Sequence, residues 1–350
     1  MLLLTHDEVA QLVTLDEAVK VMEIAYEELG TGDGVERPRT HTYTSLKEPD
    51  LRYLFKSMDG IVPSLGVAAL RITSEMNPFK REAGVLRTFK IPLRQQEVKG
   101  DYWLGLIFLF NIQSGELMAI LPDGLIGKIR MAASTTIAAK RLARKEASTV
   151  GILGSSWQAE GQIEGLACAL SLKKVEVYSP NSEHRKGFAQ RMSQRFSIDI
   201  IPVNDPVSAI NGKDLAVAAT NAYEPVMRGE WLEEGVHLTS ILHREVDETC
   251  FTRPDIVILN HKMEMMDYFP GRKTYLHWEK GMERWPDLGE LAAGKVNGRA
   301  HDKQITHFMN NGGLAGVQFA AVALQVVQRA REVGLGRELP LDWFLQPVHN

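Results

Sequence analysis

The sequence predicts an α/β chain, with a doubly wound parallel sheet joined to a separate α+β domain. Three observations carry this. From Thr149 onward, short apolar β-branched segments alternate with helical ones, the pattern of a parallel sheet covered on both faces. Between residues 40 and 121 strand-like segments follow one another behind one amphipathic helix, as in an antiparallel or mixed sheet with a helical layer. The 350 residues exceed what a single core usually holds.

The elements can be taken in order. Thr5 to Glu8 and Thr14 to Glu17 fit the capping-box pattern, a hydroxyl at the N-cap and a carboxylate three residues on. The second opens a helix with Val19, Met22, Tyr26 and Leu29 on one face, and Gly30 is placed to end it. Strands are expected at 40–44, 52–58, 66–73, 104–111 and, after the turn at 113–116, at 117–121. Residues 77–101 interrupt this sheet with Lys80, Arg81, Arg87, Lys90, Arg94 and Lys99. They read either as a solvated surface excursion or as a basic flap over an anionic substrate.

An Ala-rich helix is expected over 129–145, its small residues allowing close packing. Strands follow at 149–153, 175–178, 198–202, 215–219, 236–241 and 256–259. A last helix spans 316–333, stopped by Gly334-Leu335-Gly336. The domains divide as 1–125, completed by 316–350, and 126–315.

Composition narrows the class. The net charge is −4 with both signs interspersed, so no basic stripe for nucleic acid stands out. Two cysteines, Cys168 and Cys250, are too few for a secreted disulfide framework. Cys168, in an Ala/Leu-rich helical stretch, reads as a buried structural thiol. The start has no signal-peptide pattern, and no apolar run approaches the roughly 20 residues of a membrane span. A soluble cytoplasmic protein is expected. The histidines and cysteines lack metal-ligand spacing, and no Gly-x-Ser-x-Gly elbow is present.

The segment carrying specific chemistry is Gly154-Ser155-Ser156-Trp157-Gln158-Ala159, between the strand ending at Leu153 and a helix over about 158–170. Amide groups at such a helix start hold phosphate, and the helix dipole favours it. Gly154 and Ala159 occupy the first and last places of the dinucleotide fingerprint; Ser156 replaces the middle glycine. The next strand leads into Ser179, where an NAD enzyme usually has Asp or Glu for the ribose hydroxyls. Ser179, Asn181, Ser182 and Arg185 could hold a 2′-phosphate, so NADP is favoured over NAD. Thr220, Asn221 and Ser240 end later strands, where ligands of open α/β sheets bind.

An ordered set of segments resembles the ornithine cyclodeaminase/mu-crystallin family almost end to end. It comprises Leu4-Thr5-His6-Asp7-Glu8-Val9, Ser114 to Ala119, Ile129 to Ser134, the Gly154–Ala159 loop with Gln158-Ala159, Gly235-Val236-His237-Leu238, Gly298-Arg299 and Ile305 to Phe308. The resemblance implies a Rossmann-type domain and a substrate-binding domain whose sheet pairs with a partner's to form a homodimer. It implies that a substrate carboxylate is held by Arg39, Arg71 and Arg130, with Arg71 standing where many members have Lys.

Physical chemistry supports arginine there, because a guanidinium fork binds carboxylate in two charge-assisted bonds and stays charged. Lys56 is a candidate proton donor. Cyclising members place an Asp after the Gly-Thr-His-Ile strand. Here that loop is short, Asp247 fits the following acidic motif better, and His243 is the titratable group near the right place. The expected activity is therefore NAD(P)H-dependent reduction of a small imino acid, or oxidation of an amino acid. The basic segment adds the prospect of a second substrate carboxylate. The alternatives are an ornithine or lysine cyclodeaminase and a crystallin-like NADPH-binding protein without turnover.

Overall fold

The computed structural model describes residues 1–48, 50–93, 100–262, 265–269, 272–276, 284–310 and 315–348, with 265–269 and 272–276 as backbone. Arg94 and Lys99 of the basic segment lie outside the described residues.

The N-terminal helices start where the hydroxyls predict. Thr5 and Glu8 form a complete capping box, and Thr14 caps the helix Leu15–Thr31 by accepting from the Glu17 N–H. That helix does not stop at Gly30. It runs to Thr31 and ends on Gly32, whose φ of 94° is left-handed. Gly30 serves a different need: a Cβ there would lie 2.0 Å from the Gly289 carbonyl oxygen, so the helix Leu288–Ala292 can approach only a glycine.

Among the described residues the first sheet has 11 strands. Its main path runs Arg272–Leu276, Met265–Phe269, Thr40–Ser45, Leu51–Val62, Val67–Glu82, Leu104–Asn111, Leu117–Pro122, Leu2–Leu3 and Arg337–Glu338. Its middle is antiparallel. The strand beginning at Val67 passes well beyond residue 73, so the basic segment does not simply interrupt the sheet. Phe79–Glu82 turns back on Val85–Thr88 as a hairpin.

The second sheet is wholly parallel, in the order Asp199–Pro202, Lys174–Tyr178, Thr149–Leu153, Leu215–Ala218, His237–Ser240, Thr306–Met309, Ile256–Leu259. Strand order reverses between Thr149–Leu153 and Leu215–Ala218, which is where open α/β sheets bind ligands. The four residues of Leu215–Ala218 are all buried, as expected of a strand covered on both sides.

Two helices join the halves. Gly124–Leu142 begins earlier and ends earlier than the alanine run suggests. Ile126, Ala132, Ala133 and Ile137 enter the core shared with the first sheet, whereas Met131 and Ala139 enter that of the second. Its Thr136 hydroxyl donates to the Gly165 carbonyl of Trp157–Ala169 at 2.9 Å, a contact that small residues permit. The last helix, Gly316–Val333, has the predicted limits and covers the inner face of the first sheet. Cys250 is fully buried, but Cys168 is only half-buried and donates to Asp16 at 3.4 Å; the helix carrying it leaves that side partly open.

Candidate active site

The glycine loop sits at the strand-order reversal. Gly154 has φ of 117°, and a Cβ there would lie 2.2 Å from the Ala219 carbonyl oxygen. Its N–H donates to the Tyr178 carbonyl at 2.8 Å, which ties the loop to the neighbouring strand. Ser156 is the N-cap of Trp157–Ala169, yet its side chain makes no capping bond to the first amides. Those amides are what a diphosphate would use. Ala159 is fully buried, and the buried Gln158 Oε1 has no hydrogen-bond partner.

The other proposed cofactor residues are more committed to the protein. The Ser155 and Ser179 hydroxyls are 2.8 Å apart. Asn181 caps the helix Ser182–Phe196 by accepting from the His184 N–H at 3.0 Å. Arg185 turns inward, donating to the Ser179 carbonyl at 2.8 Å and to Asn204. Thr220 donates to Glu245 Oε2 through N–H and hydroxyl, both at 2.7 Å. The Ser240 hydroxyl meets His307 Nε2 at 2.8 Å. Asn221 accepts from Arg87 at 2.9 Å and donates to the Thr88 carbonyl at 3.0 Å.

The Asn221 contacts cross between the two halves. Tyr223 N–H also donates to the Leu86 carbonyl at 2.8 Å. Arg81 forks onto both carboxylate oxygens of Glu224 at 3.1 and 2.8 Å. Phe79 meets Tyr223 edge-on, with centroids 4.9 Å apart. The hairpin at Phe79–Thr88 is therefore fastened to the loop after the strand Leu215–Ala218, and is not a detached surface excursion.

Lys56, Arg71, Thr73 and Glu75 share one face of the first sheet, since Lys56 stands opposite Thr73 and Met58 opposite Arg71. His41 stands opposite Lys56, which puts Arg39, two residues earlier, at the same edge of that face. Arg71 Nε donates to Asp123 Oδ2 at 2.6 Å. Asp123 is also the N-cap of Gly124–Leu142, and Arg130 projects from that helix. The Arg71 and Arg130 guanidinium carbons lie 5.2 and 5.3 Å from the centroid of the Phe319 ring.

Arg130 donates to Gln318 Oε1 at 3.0 Å. Gln318 in turn donates to the Tyr26 hydroxyl at 2.9 Å, and Tyr26 donates to Asn260 Oδ1 at 2.5 Å. Burial, reinforced by the neighbouring Arg71 charge, pulls Arg130 down to about 9. Arg130 Nε has no partner within the protein. A buried donor without an acceptor costs about 1–3 kcal/mol, so an incoming carboxylate is well matched to it.

Lys56 Nζ and Lys90 Nζ contact the two oxygens of Glu75 at 2.8 and 2.9 Å. Burial brings Lys56 down to about 8 against the pull of Glu75, with Lys90, Arg39 and Arg71 pushing the same way as burial. Burial would raise Glu75, but the two lysines outweigh it and hold the carboxyl below its usual range. Beside this triad is a cavity of about 280 Å³ lined by Tyr53, Ser74, Glu75, Lys90 and Trp103 among others. Trp103 and Trp157 both close on Gly124 (a Cβ there would be 3.3 and 3.6 Å from the two rings). The cavity wall thus meets the helix that follows the glycine loop.

His243 stands apart, lining a second cavity of about 310 Å³ with Tyr223, Arg244 and Phe251. Burial, helped by Arg244, lowers it to about 4, so it is neutral near pH 7. The carboxylates of its loop are held by the protein. Glu245 accepts from the Ile241 and Leu242 amides at 2.8 Å each as well as from Thr220. Asp247 accepts from the Gly229 and Cys250 amides. Among the described residues no cluster of His, Cys, Asp or Glu suited to a metal ion occurs, and no helix is long and apolar enough to cross a membrane.

Sequence reading brought forward Arg39, Arg71, Arg130 and Lys56 but missed Thr73, Glu75, Asp123 and Gln318. The alternation Arg71-Thr73-Glu75, polar on what becomes a covered face, was the available signal.

The parallel sheet with its glycine loop at the strand-order reversal defines the class: a Rossmann-type α/β fold joined to a second, largely antiparallel sheet. The chain belongs to the ornithine cyclodeaminase/mu-crystallin family, whose model matches residues 98–334. It is 28% identical to an uncharacterized cyclodeaminase of Sinorhizobium fredii, covering 96% of this chain and 98% of that one. It is 26% identical to a Δ1-pyrroline-2-carboxylate reductase of Bacillus cereus, covering 97% and 99%. The Thermococcus litoralis Δ1-pyrroline-2-carboxylate reductase, solved with NADH and L-proline, superposes with a TM-score of 0.77 at 24% identity, covering 97% of this chain and all of that one.

Proposed function

We propose that this protein is an NAD(P)H-dependent oxidoreductase of the C–N bond, reducing a small α-imino acid or oxidising the corresponding α-amino acid. The observation that carries the reading is the gathering of Arg39, Arg71, Arg130 and Lys56 around one covered face, with Arg130 on the helix that packs against the glycine-loop helix. The bound nicotinamide supplies or accepts the hydride. The residues that fit its diphosphate are Gly154, Ser155, Ser156, Trp157, Gln158 and Ala159, through the open helix-start amides.

Arg71, oriented by Asp123, and Arg130, oriented by Gln318, hold the substrate carboxylate together with Arg39. This fixes the α-carbon, and positioning supplies much of such a rate enhancement. In reduction the carbon gains the hydride and the nitrogen gains a proton. Lys56, at about 8 and pinned by Glu75, is suited to give that proton near neutral pH. His243 is neutral there and has none to give. The loop carboxylates Glu245 and Asp247 are engaged by backbone donors, which favours plain reduction over cyclodeamination.

NADP is favoured over NAD because Ser179, not a carboxylate, ends the strand Lys174–Tyr178. Ser155, Ser179, Asn181 and Arg185 surround that end, and Arg185 would have to leave Asn204 to reach a 2′-phosphate. Thr220, Asn221 and Ser240 shape the nicotinamide side through the backbone they fix. The domain division 1–125 with 316–350, and 126–315, accompanies this reading. So does a homodimer formed through the first sheet, whose outer face leaves Phe55 and Ile61 exposed.

Pyruvate, glyoxylate or oxaloacetate with ammonia or methylamine should be reduced with consumption of NADPH or NADH. Absence of turnover across that panel overturns the reading. A larger thermal shift with NADH than with NADPH overturns the cofactor preference alone.

A further inference from the structure

The hairpin Phe79–Thr88 carries cations that the proposed chemistry leaves unused. Among the described residues the buried arginines are Arg71, Arg87, Arg130 and Arg185. Arg71 pairs with Asp123, and Arg185 donates to the Ser179 carbonyl and to Asn204. Arg130 belongs to the proposed carboxylate site. Arg87 is 7% exposed, and its partner is neutral: Nη1 donates to Asn221 Oδ1 at 2.9 Å. Its Nε is buried without a hydrogen-bond partner. No carboxylate among the described residues forms an ion pair with it. A cation buried in this way is costly until an anion reaches it.

Lys80 doubles the charge. It stands directly opposite Arg87 in the hairpin, so both side chains leave the same face, where like charges repel. Lys80 is exposed, and among the described residues it too has no acidic partner. Such a pair matches an anion carrying two charges better than a single carboxylate.

The hairpin delivers this pair to the strand-order reversal. Thr88 N–H donates to the Asn221 carbonyl, and Asn221 Nδ2 donates to the Thr88 carbonyl. Asn221 lies two residues past Ala219, whose carbonyl oxygen lies against Gly154. The strand Lys174–Tyr178, which leads into Ser179, is on the other side of Thr149–Leu153. Arg87 therefore faces the glycine loop from the side opposite the ribose end.

We infer that Arg87, with Lys80 behind it, binds the diphosphate of the dinucleotide, at the phosphate nearer the nicotinamide. The amides that open Trp157–Ala169 take one side of the diphosphate and Arg87 the other. This rests on the coenzyme reading above and adds to it a contact from the other half of the chain.

Fluorescence titration with the reduced coenzyme, ADP-ribose and AMP tests this in the wild type, Arg87→Met, Arg87→Gln and Lys80→Met. ADP-ribose carries the diphosphate without the nicotinamide; AMP lacks the second phosphate. Arg87→Met should weaken coenzyme and ADP-ribose by at least about tenfold, the size of one charge-assisted bond, and leave AMP nearly unchanged. Its Kd should also respond less steeply to salt than that of the wild type, which a packing defect would not produce. Arg87→Gln keeps a donor for Asn221 and should show the same selective loss in a chain that melts like the wild type. Lys80→Met should lose less. Unchanged Kd for ADP-ribose in both Arg87 variants overturns the assignment, and so does an equal loss for AMP. A loss confined to the KM of the imino acid moves Arg87 to the substrate carboxylate and overturns it as well. A wild type that binds neither NADPH nor NADH overturns the coenzyme reading itself.

Discussion

On the proposed reading the parallel half offers an anion the amides that open Trp157–Ala169, whereas the other half offers it side chains, Arg71 and Lys56 from the antiparallel sheet and Arg130 from the helix Gly124–Leu142. One is backbone and the other is side chain. The difference explains why Ser156 can stand where the fingerprint has glycine, because an amide remains an amide whatever side chain it carries, provided the turn survives. It also implies that single side chains decide chemistry in the other half. There each buried charge is set by another buried group: Arg71 by Asp123, Arg130 by Gln318, Lys56 by Glu75.

Substitutions can break or sharpen this contrast. The largest effect is expected from Arg130→Met, which should cut kcat/KM on the order of 100-fold or more through lost positioning. Cofactor affinity, read by fluorescence titration, should stay near wild type; a parallel loss of cofactor binding would erase the distinction between the halves. In the other half Ser156→Ala should leave cofactor affinity within a few-fold, while Gly154→Val should abolish it. The valine would also cost about 1–3 kcal/mol of stability in a denaturant titration, from a strained left-handed backbone and a clash with Ala219.

The side-chain half should also carry a distinct pH signature of folding. Glu36 is buried and accepts from the Val317 N–H at 3.2 Å. Burial raises its carboxyl from 4.5 to about 7, the Val317 amide opposing. A raised folded-state value means that its contribution to stability is complete below about 4.5 and is lost as pH rises through about 7. Glu36→Gln should therefore flatten the decline in stability across that window; an unchanged slope would contradict it. The smallest effect belongs to the exposed pair Arg81–Glu224. A double-mutant cycle there should give only a small coupling, one that shrinks further as salt is added, because solvent and ions screen an exposed pair.

Much of the parallel half was legible because its strands are short, apolar and bounded by helices. The strand Thr149–Leu153, the loop after it and the helix Gly316–Val333 follow from local pattern alone. The strand Thr306–Met309 did not, since Thr306 and His307 do not read as a buried strand until His307 is seen between Ser240 and the Cys250 carbonyl. The long helix was placed five residues late because Gly124 and Gly127 look like a turn. In the other half the arginines were reached through family likeness, but Glu75 and Thr73 need the register of two strands before their common face is visible. The extension of Val67–Glu82 depends on the pairing of Phe79–Glu82 with Val85–Thr88, which polar composition at 80–82 conceals. His243 looked suitable by residue type, and only its burial shows it to be neutral.

The hairpin docked on Asn221, Tyr223 and Glu224 has a thermodynamic consequence. It grips the loop that follows the strand Leu215–Ala218, so, on the proposed reading in which the coenzyme binds at that strand end, occupancy and docking would be linked functions. Whatever factor the coenzyme adds to docking, docking returns to coenzyme affinity.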